Sequence, residues 1–269
     1  MEIQMQKFIP EGWIETTENF DLEQLRNAKK NGTIIQGFVK NCDEDCNLHI
    51  NLGENIVGVI PRNEMDAISN DEFGKTRHSI CRNKVNQFVQ FKVKKIYDDN
   101  NLLLSRKDAE EDALNWVKNE LQPGMIVNGI VKNMRKYGAF IDIGGGVTGL
   151  LHVEDISISR IKSPEERFFN GQKIKVMIKY IDKENNQVVL SHKELLGNWE
   201  ENVQNYQEKM IVDGTVKETD QYKNGIFIEL RPNLVGLAEY KDGFRYGQKV
   251  KVYIKKIIRE KKKIKLLIV

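Results

Sequence analysis

The chain repeats itself, and this constrains its fold more than any other feature. G-F-V-K-N begins at Gly37, G-I-V-K-N at Gly129 and G-T-V-K-E at Gly214, at intervals of 92 and 85 residues. Each start is followed by a turn and an alternating segment: L-H-I-N-L from Leu48, A-F-I-D-I from Ala139 and I-F-I-E-L from Ile226. A Gly-containing loop and a short apolar segment come next (V-G-V-I, T-G-L-L, V-G-L-A). Each unit then closes with a basic segment and a hairpin partner: F-V-Q-F-K-V-K-K-I with L-L-L-S-R, K-I-K-V-M-I-K-Y-I with V-V-L-S-H, and K-V-K-V-Y-I-K-K-I with I-K-L-L-I. Repeats of this size mean a fold built from like units. Alternation of Val, Ile, Phe and Tyr, broken by Gly, Asn and Asp, predicts strands. Five strands in about 70 residues suit a small closed sheet, because closure removes edges that so short a unit could not protect. A length of 269 residues would by itself suggest about two domains. The repeat count overrules that prior. The expectation is all-β: three tandem five-stranded barrels over 30–107, 122–196 and 209–269, joined by short helical linkers and preceded by an N-terminal arm over 1–29.

The linkers carry a different period. Residues 106–120 are rich in helix formers. Across 193–208, Leu195, Trp199, Val203 and Tyr206 recur at spacings of four, four and three, which predicts an amphipathic helix. D-L-E-Q-L-R-N-A-K-K-N-G predicts another, with Gly32 as its C-cap. Ser163, followed by Pro164, Glu165 and Glu166, is the N-cap pattern of a short helix. A hydrophobic fraction of 40% against 30% charged residues is a globular balance. No run approaches the roughly 18 apolar residues of a membrane helix. The N-terminus lacks the basic start and apolar core of a signal peptide. Three cysteines, Cys42, Cys46 and Cys81, are too few and odd in number for a secreted disulfide scaffold, so a cytoplasmic protein is expected. The net charge of +3 is unevenly spread: residues 209–269 hold 15 bases against 7 acids, residues 1–29 hold 3 against 6. Basic charge gathered where the barrels are expected points to a polyanionic partner.

The second unit contains the most informative stretch, G-I-V-K-N-M-R-K-Y-G-A-F-I-D-I-G-G-G-V-T-G-L-L-H. With a strand beginning near Tyr137, that ring stands at its head, Phe140 lies further along, and His152 is on the neighbouring strand. The three would share one barrel face, ringed by Lys132, Arg135, Lys136 and Arg160. Rings with basic neighbours hold single strands, since bases stack on rings and phosphates find cations. The same alternation is also compatible with Tyr137 and Phe140 as core residues.

These residues carry a resemblance. Y-G-A-F, I-D-I-G-G-G and G-L-L-H, within residues 122–196, resemble the S-one RNA-binding domain, an oligonucleotide-binding (OB) barrel. The wider chain, with L-Q-P-G-M opening the second unit, resembles a short, three-unit member of the S-one family of small-subunit ribosomal proteins. The resemblance implies RNA binding through Tyr137, Phe140, His152 and Asp182; the family's Arg falls near Gln187. In the third unit it implies Tyr222 and Phe227 as aromatics, with two residues inserted before Gly225. Glu239 stands at the His position, Lys263 near the family's Arg, and Arg259, Lys261 and Lys262 crowd the same hairpin. In the first unit Cys46 and His49 take the aromatic positions and Pro61 the His position, so the platform is lost. The resemblance then implies docking to the small ribosomal subunit for that barrel.

Three other patterns in the sequence point to no further chemistry. Cys42, Cys46, His49, His78 and Cys81 are soft ligands, but their spacing matches no familiar zinc motif, and no metal is expected. G-G-G at 144–146 lacks the Lys and the following helix of a phosphate loop. No catalytic constellation can be assembled, so no enzyme and no cofactor is expected. The expected function is single-stranded RNA or mRNA binding in translation, by a protein that is monomeric when free and has no membrane partner. The alternatives are a ribosome- or protein-docking adaptor, or an accessory subunit in RNA processing.

Overall fold

The structure is a computed structural model that describes residues 6–14, 19–53, 55–67, 75–97, 101–219 and 225–269. Its strands form three closed barrels. The first holds β1 (Ile35–Cys42), β2 (Leu48–Gly53), β3 (Ile56–Ile60), β4 (Phe88–Ile96) and β5 (Asn101–Ser105). The second holds β6 (Ile126–Arg135), β7 (Gly138–Asp142), β8 (Thr148–His152), β9 (Lys173–Asp182) and β10 (Gln187–Ser191). The third holds β11 (Ile211–Thr219), β12 (Ile226–Arg231), β13 (Leu234–Ala238), β14 (Lys249–Ile258) and β15 (Lys263–Ile268). In each the strands run in the order 1-2-3-5-4. The third and fifth pair in parallel, and the first and fourth pair antiparallel to close the ring.

Alternation decides which side chains go inside. In β9, Ile174, Val176 and Ile178 are buried while Lys173 and Lys175 are exposed; β14 repeats this with Val250, Val252 and Ile254. The glycine that opens each repeat has a packing reason. A side chain on Gly37, Gly129 or Gly214 would collide with the inward-facing Ile50, Ile141 or Ile228 respectively.

Helix α1 (Leu22–Asn31) has a reciprocal capping box between Asp21 and Gln24, and Gly32 ends it at φ +62°. A short helix not foreseen from the sequence, α2 (His78–Asn83), precedes β4. Helix α3 (Arg106–Asn119) follows Ser105, whose hydroxyl accepts from Asp108 N. The linker over 193–208 is not the single helix its spacing predicts. Lys193–Leu196 is a 3-10 turn, Gly197 then takes φ +78°, and α4 (Trp199–Val203) restarts with Asn198 and Glu201 as a capping box. Trp199, Val203 and Tyr206 still pack on the third core. Pro164–Glu166 is a 3-10 turn after Ser163, whose side chain makes no cap hydrogen bond.

Residues 6–14 lie in the seam between the first two barrels. Gln6 exchanges hydrogen bonds with the backbone of Asn128 (2.7 Å) and donates to Ile143 O (2.6 Å). Phe8 joins the second core and packs on Trp116. Glu11 is fully buried: it accepts from Arg106 (2.8 and 3.2 Å), Lys84 (2.9 Å) and Gln90 N (3.1 Å), and its own N–H donates to Asp142. Gly144, Gly145 and Gly146 are the seat for this segment. All three have positive φ, and a side chain on any of them would strike Phe8, Ala113 or Arg106. The triple glycine therefore serves close packing in the seam.

Candidate nucleic-acid interface

Strand register builds the outer face of the second barrel. Ala139 and Ile141 point into the core, so Phe140 points out, opposite Asn133 on β6 and Leu150 on β8. Gly138 lies opposite His152, and Tyr137 sits on the preceding turn, its carbonyl accepting from Val153 N at 2.9 Å. Tyr137, Phe140 and His152 are thereby gathered at one end of one face. The Tyr137 ring is 51% exposed and meets Phe140 edge-to-face, centroids 6.2 Å apart. Both rings stand outside the core. His152 Nδ1 accepts from Glu154 N at 3.4 Å.

The cations around this patch are disposed unequally. Arg135 and Lys136 are exposed on the β6–β7 turn. Lys132 is turned into the seam instead, donating to Glu11 O at 2.9 Å with Asp142 at 3.7 Å. Arg160 leaves the loop after β8 and pairs with Glu218 of the third barrel at 3.1 Å. Asp182 caps its own hairpin, accepting from Glu184 N and from the backbone and side chain of Asn185. Hydrogen bonds from Asn185 hold its carboxyl below the usual range.

On the third barrel, Phe227 is opposite Leu237 on one side and Glu218 on the other. Phe227 is 40% and Leu237 42% exposed. Glu239 occupies the position of His152 and pairs with Lys255 at 3.3 Å. Arg259 is tied to Glu200 of α4 at 3.1 Å, and Lys261, Lys262 and Lys263 are exposed on the last hairpin. Tyr222 lies outside the described residues. Glu218 and Leu237 went unnoticed from sequence, although aligning G-T-V-K-E with G-I-V-K-N would have given Glu218 the position of Asn133.

The first barrel offers no Tyr or Phe at these positions. Pairing of Ile50 with Gly58 matches that of Ile141 with Gly149, so His49 takes the slot of Phe140 and Pro61 that of His152. His49 Nε2 is bonded to Asp43 at 3.0 Å. Cys46, buried at φ +66°, directs its Sγ to His78 Nδ1 at 3.0 Å. Burial, with Cys46 beside them, pushes the Cys42 and Cys81 thiols up to about 11. Among the described residues no group of three or more His, Cys, Asp or Glu is placed to hold a metal ion. None of the helices described is long and apolar enough to cross a membrane.

Residues 120–193 match the family model of the S1 RNA binding domain, the S-one type. Over 158 residues the chain is 35% identical to the small ribosomal subunit protein bS1 of Staphylococcus aureus strain COL, a match covering 56% of this chain and 40% of that protein. It is 34% identical over 186 residues to a 4-hydroxy-3-methylbut-2-enyl diphosphate reductase of Clostridium acetobutylicum, covering 65% of this chain and 28% of that enzyme. The matches thus span well under half of these relatives. Among solved structures, a multidomain protein with nucleic acid binding domains from Streptococcus pneumoniae TIGR4 aligns over 88% of this chain and 73% of its own, at 12% identity and a TM-score of 0.27. The family match thus falls on the second of three closed five-stranded barrels, and 56% of the chain is similar to part of the bS1 proteins.

Proposed function

We propose that this chain binds single-stranded RNA, mRNA in particular, and contributes no chemistry of its own. One observation carries the reading: Tyr137, Phe140 and His152 stand together on the outside of the barrel that the family model matches. Rings so exposed supply stacking surfaces worth about 1–3 kcal/mol per base, and every base has a face to stack. Arg135 and Lys136 beside the rings, and Lys261, Lys262 and Lys263 on the last hairpin, supply the field that draws in phosphates. The names of the bS1 relatives support a role in translation in the cytoplasm, at the small ribosomal subunit. The test is filter binding of unstructured RNA to the chain and to its triple Ala variant at Tyr137, Phe140 and His152. Affinity unchanged in a folded variant would refute the reading.

A second reading, a docking adaptor, draws on the first barrel. Its equivalent positions hold Cys46, His49 and Pro61, two of them bonded to neighbours, which suits a protein-facing surface better than a stacking one. Co-sedimentation with ribosomes that survives competition by free RNA would favour docking through this barrel.

A further inference from the structure

The second and third barrels are joined by a specific interface. Ser159 N donates to Pro232 O (2.9 Å) and Ile158 N to Asn233 Oδ1 (3.0 Å). Asn233 Nδ2 donates to Lys193 O (2.6 Å) and Gly197 O (2.9 Å). Asn233 is buried, and its side chain is bonded at both ends to the neighbouring barrel or linker. Glu166 of the second barrel receives Lys217 Nζ (3.0 Å) and Tyr246 OH (2.6 and 2.7 Å) from the third. The Lys162 ammonium sits 4.1 Å from the Tyr246 ring centroid. Splaying the barrels apart would strand these groups, so the two outer faces are held at a fixed spacing.

Arg160 reaches across this interface. It lies on the connection between β8 and β9, and its guanidinium meets Glu218, whose cross-strand partner is Phe227. From Arg160 the contacts run through Glu218 to Phe227 and Leu237 of the third barrel, and along the chain Arg160 follows His152 by eight residues. Arg160 is 78% and Glu218 44% exposed. An ion pair so wet contributes little to holding the joint. A phosphate fits the guanidinium fork as well as a carboxylate does, and it would bring its own stacked bases to the rings on either side.

We propose that a single RNA strand crosses the joint between the second and third barrels, and that one of its phosphates displaces Glu218 from Arg160. Glu218 is then an internal competitor: it holds the crossing point closed to weakly bound strands and yields to one engaged on both faces. This rests on the RNA-binding reading above.

The test uses the full chain and oligouridylates of about 4 and about 16 nucleotides, the range an OB barrel accommodates. The short probe fits one barrel; the long one can cross. Glu218→Gln should bind the 16-mer about threefold more tightly and leave the 4-mer unchanged. Arg160→Gln should bind the 16-mer about fivefold more weakly and flatten its salt dependence by about 0.7 in log–log slope, again sparing the 4-mer. Both positions are exposed, and equal melting temperatures would show that the joint is intact. If Glu218→Gln leaves the 16-mer unchanged or weakens it, or if either variant alters both lengths alike, the proposal is overturned. If the unmodified chain binds neither probe, the RNA-binding reading falls instead.

Discussion

Replacing Glu11 with Ala should destabilise the seam between the first two barrels far more than replacing an exposed charge would. The carboxylate is fully buried and accepts four hydrogen bonds, three of them from the Arg106 and Lys84 cations. Burial alone would raise its pKa. The Arg106 guanidinium and the Lys84 ammonium outweigh that and hold the carboxyl well below the usual range. A depressed carboxylate pKa means that its stabilisation is present above the unfolded value of 4.5 and is lost as pH falls through the folded one. At pH 7 the full effect is therefore measured. Removing one partner of a buried pair costs about 3–5 kcal/mol. Arg106 keeps Met65 O at 3.0 Å and Glu110 at 3.4 Å, so the lower end applies, about 3 kcal/mol. At about 2–4 °C per kcal/mol for a body of this size, the melting temperature should fall by roughly 6–12 °C. Calorimetry at pH 7 would measure it, with Lys7→Ala as the control. Lys7 pairs with Glu120 in the open, 57% and 51% exposed, and such a pair contributes about 0–1 kcal/mol. If Glu11→Ala melts with Lys7→Ala, the network is not the fastening described here.

Three further outcomes are expected. The triple Ala variant at Tyr137, Phe140 and His152 should lose several kcal/mol of RNA affinity, at about 1–3 per stacked base, by filter binding; retained affinity would move the site elsewhere. Changing Lys261, Lys262 and Lys263 to Gln should weaken all RNA sequences alike and reduce the salt slope by roughly 2 units if each lysine touches phosphate; an unchanged slope would leave the hairpin as solvated surface. Burial, with Asp66 and Glu11 adding to it, raises Glu110 to about 7, outweighing Arg106. The folded state then binds the extra proton between pH 4.5 and about 7, so stability should decline as pH rises across that window, and Glu110→Gln should flatten the decline in urea melts. An identical pH profile in the variant would count against it.

Much of the barrel architecture could be read from local pattern, because a period of two is written into adjacent residues. Ile174, Val176 and Ile178 alternate with lysines and do face inward. The same alternation leaves Phe140 open between core and outer face, and only the register with buried Ala139 and Ile141 turns it outward. What the sequence hid are contacts without a period. Lys132 looked like a cation of the outer face, yet it closes on Glu11, 121 residues away. Nothing adjacent to either residue signals this. Gly144, Gly145 and Gly146 read as a loop; their purpose appears only once Phe8 and Arg106 are seated against them. The helix expected over 193–208 had the right apolar spacing, but spacing cannot foresee that Gly197 adopts φ +78° and breaks it.

The seam also has a consequence for the order in which the protein can be completed as it is made. Glu11 finds Arg106 only after 95 further residues, and Asp142 after 131. At a synthesis rate of about 5–20 residues per second, the second interval lasts roughly 7–26 s. The first barrel can close within that time, but its charged flank has no second barrel to cover it. Lys84, Arg106 and Glu11 must stay hydrated until β7 and the glycine seat have emerged, and only then shed their water together. Residues 6–14, made before either barrel, are thus fixed only after both, and the seam reports that two barrels, not one, have folded.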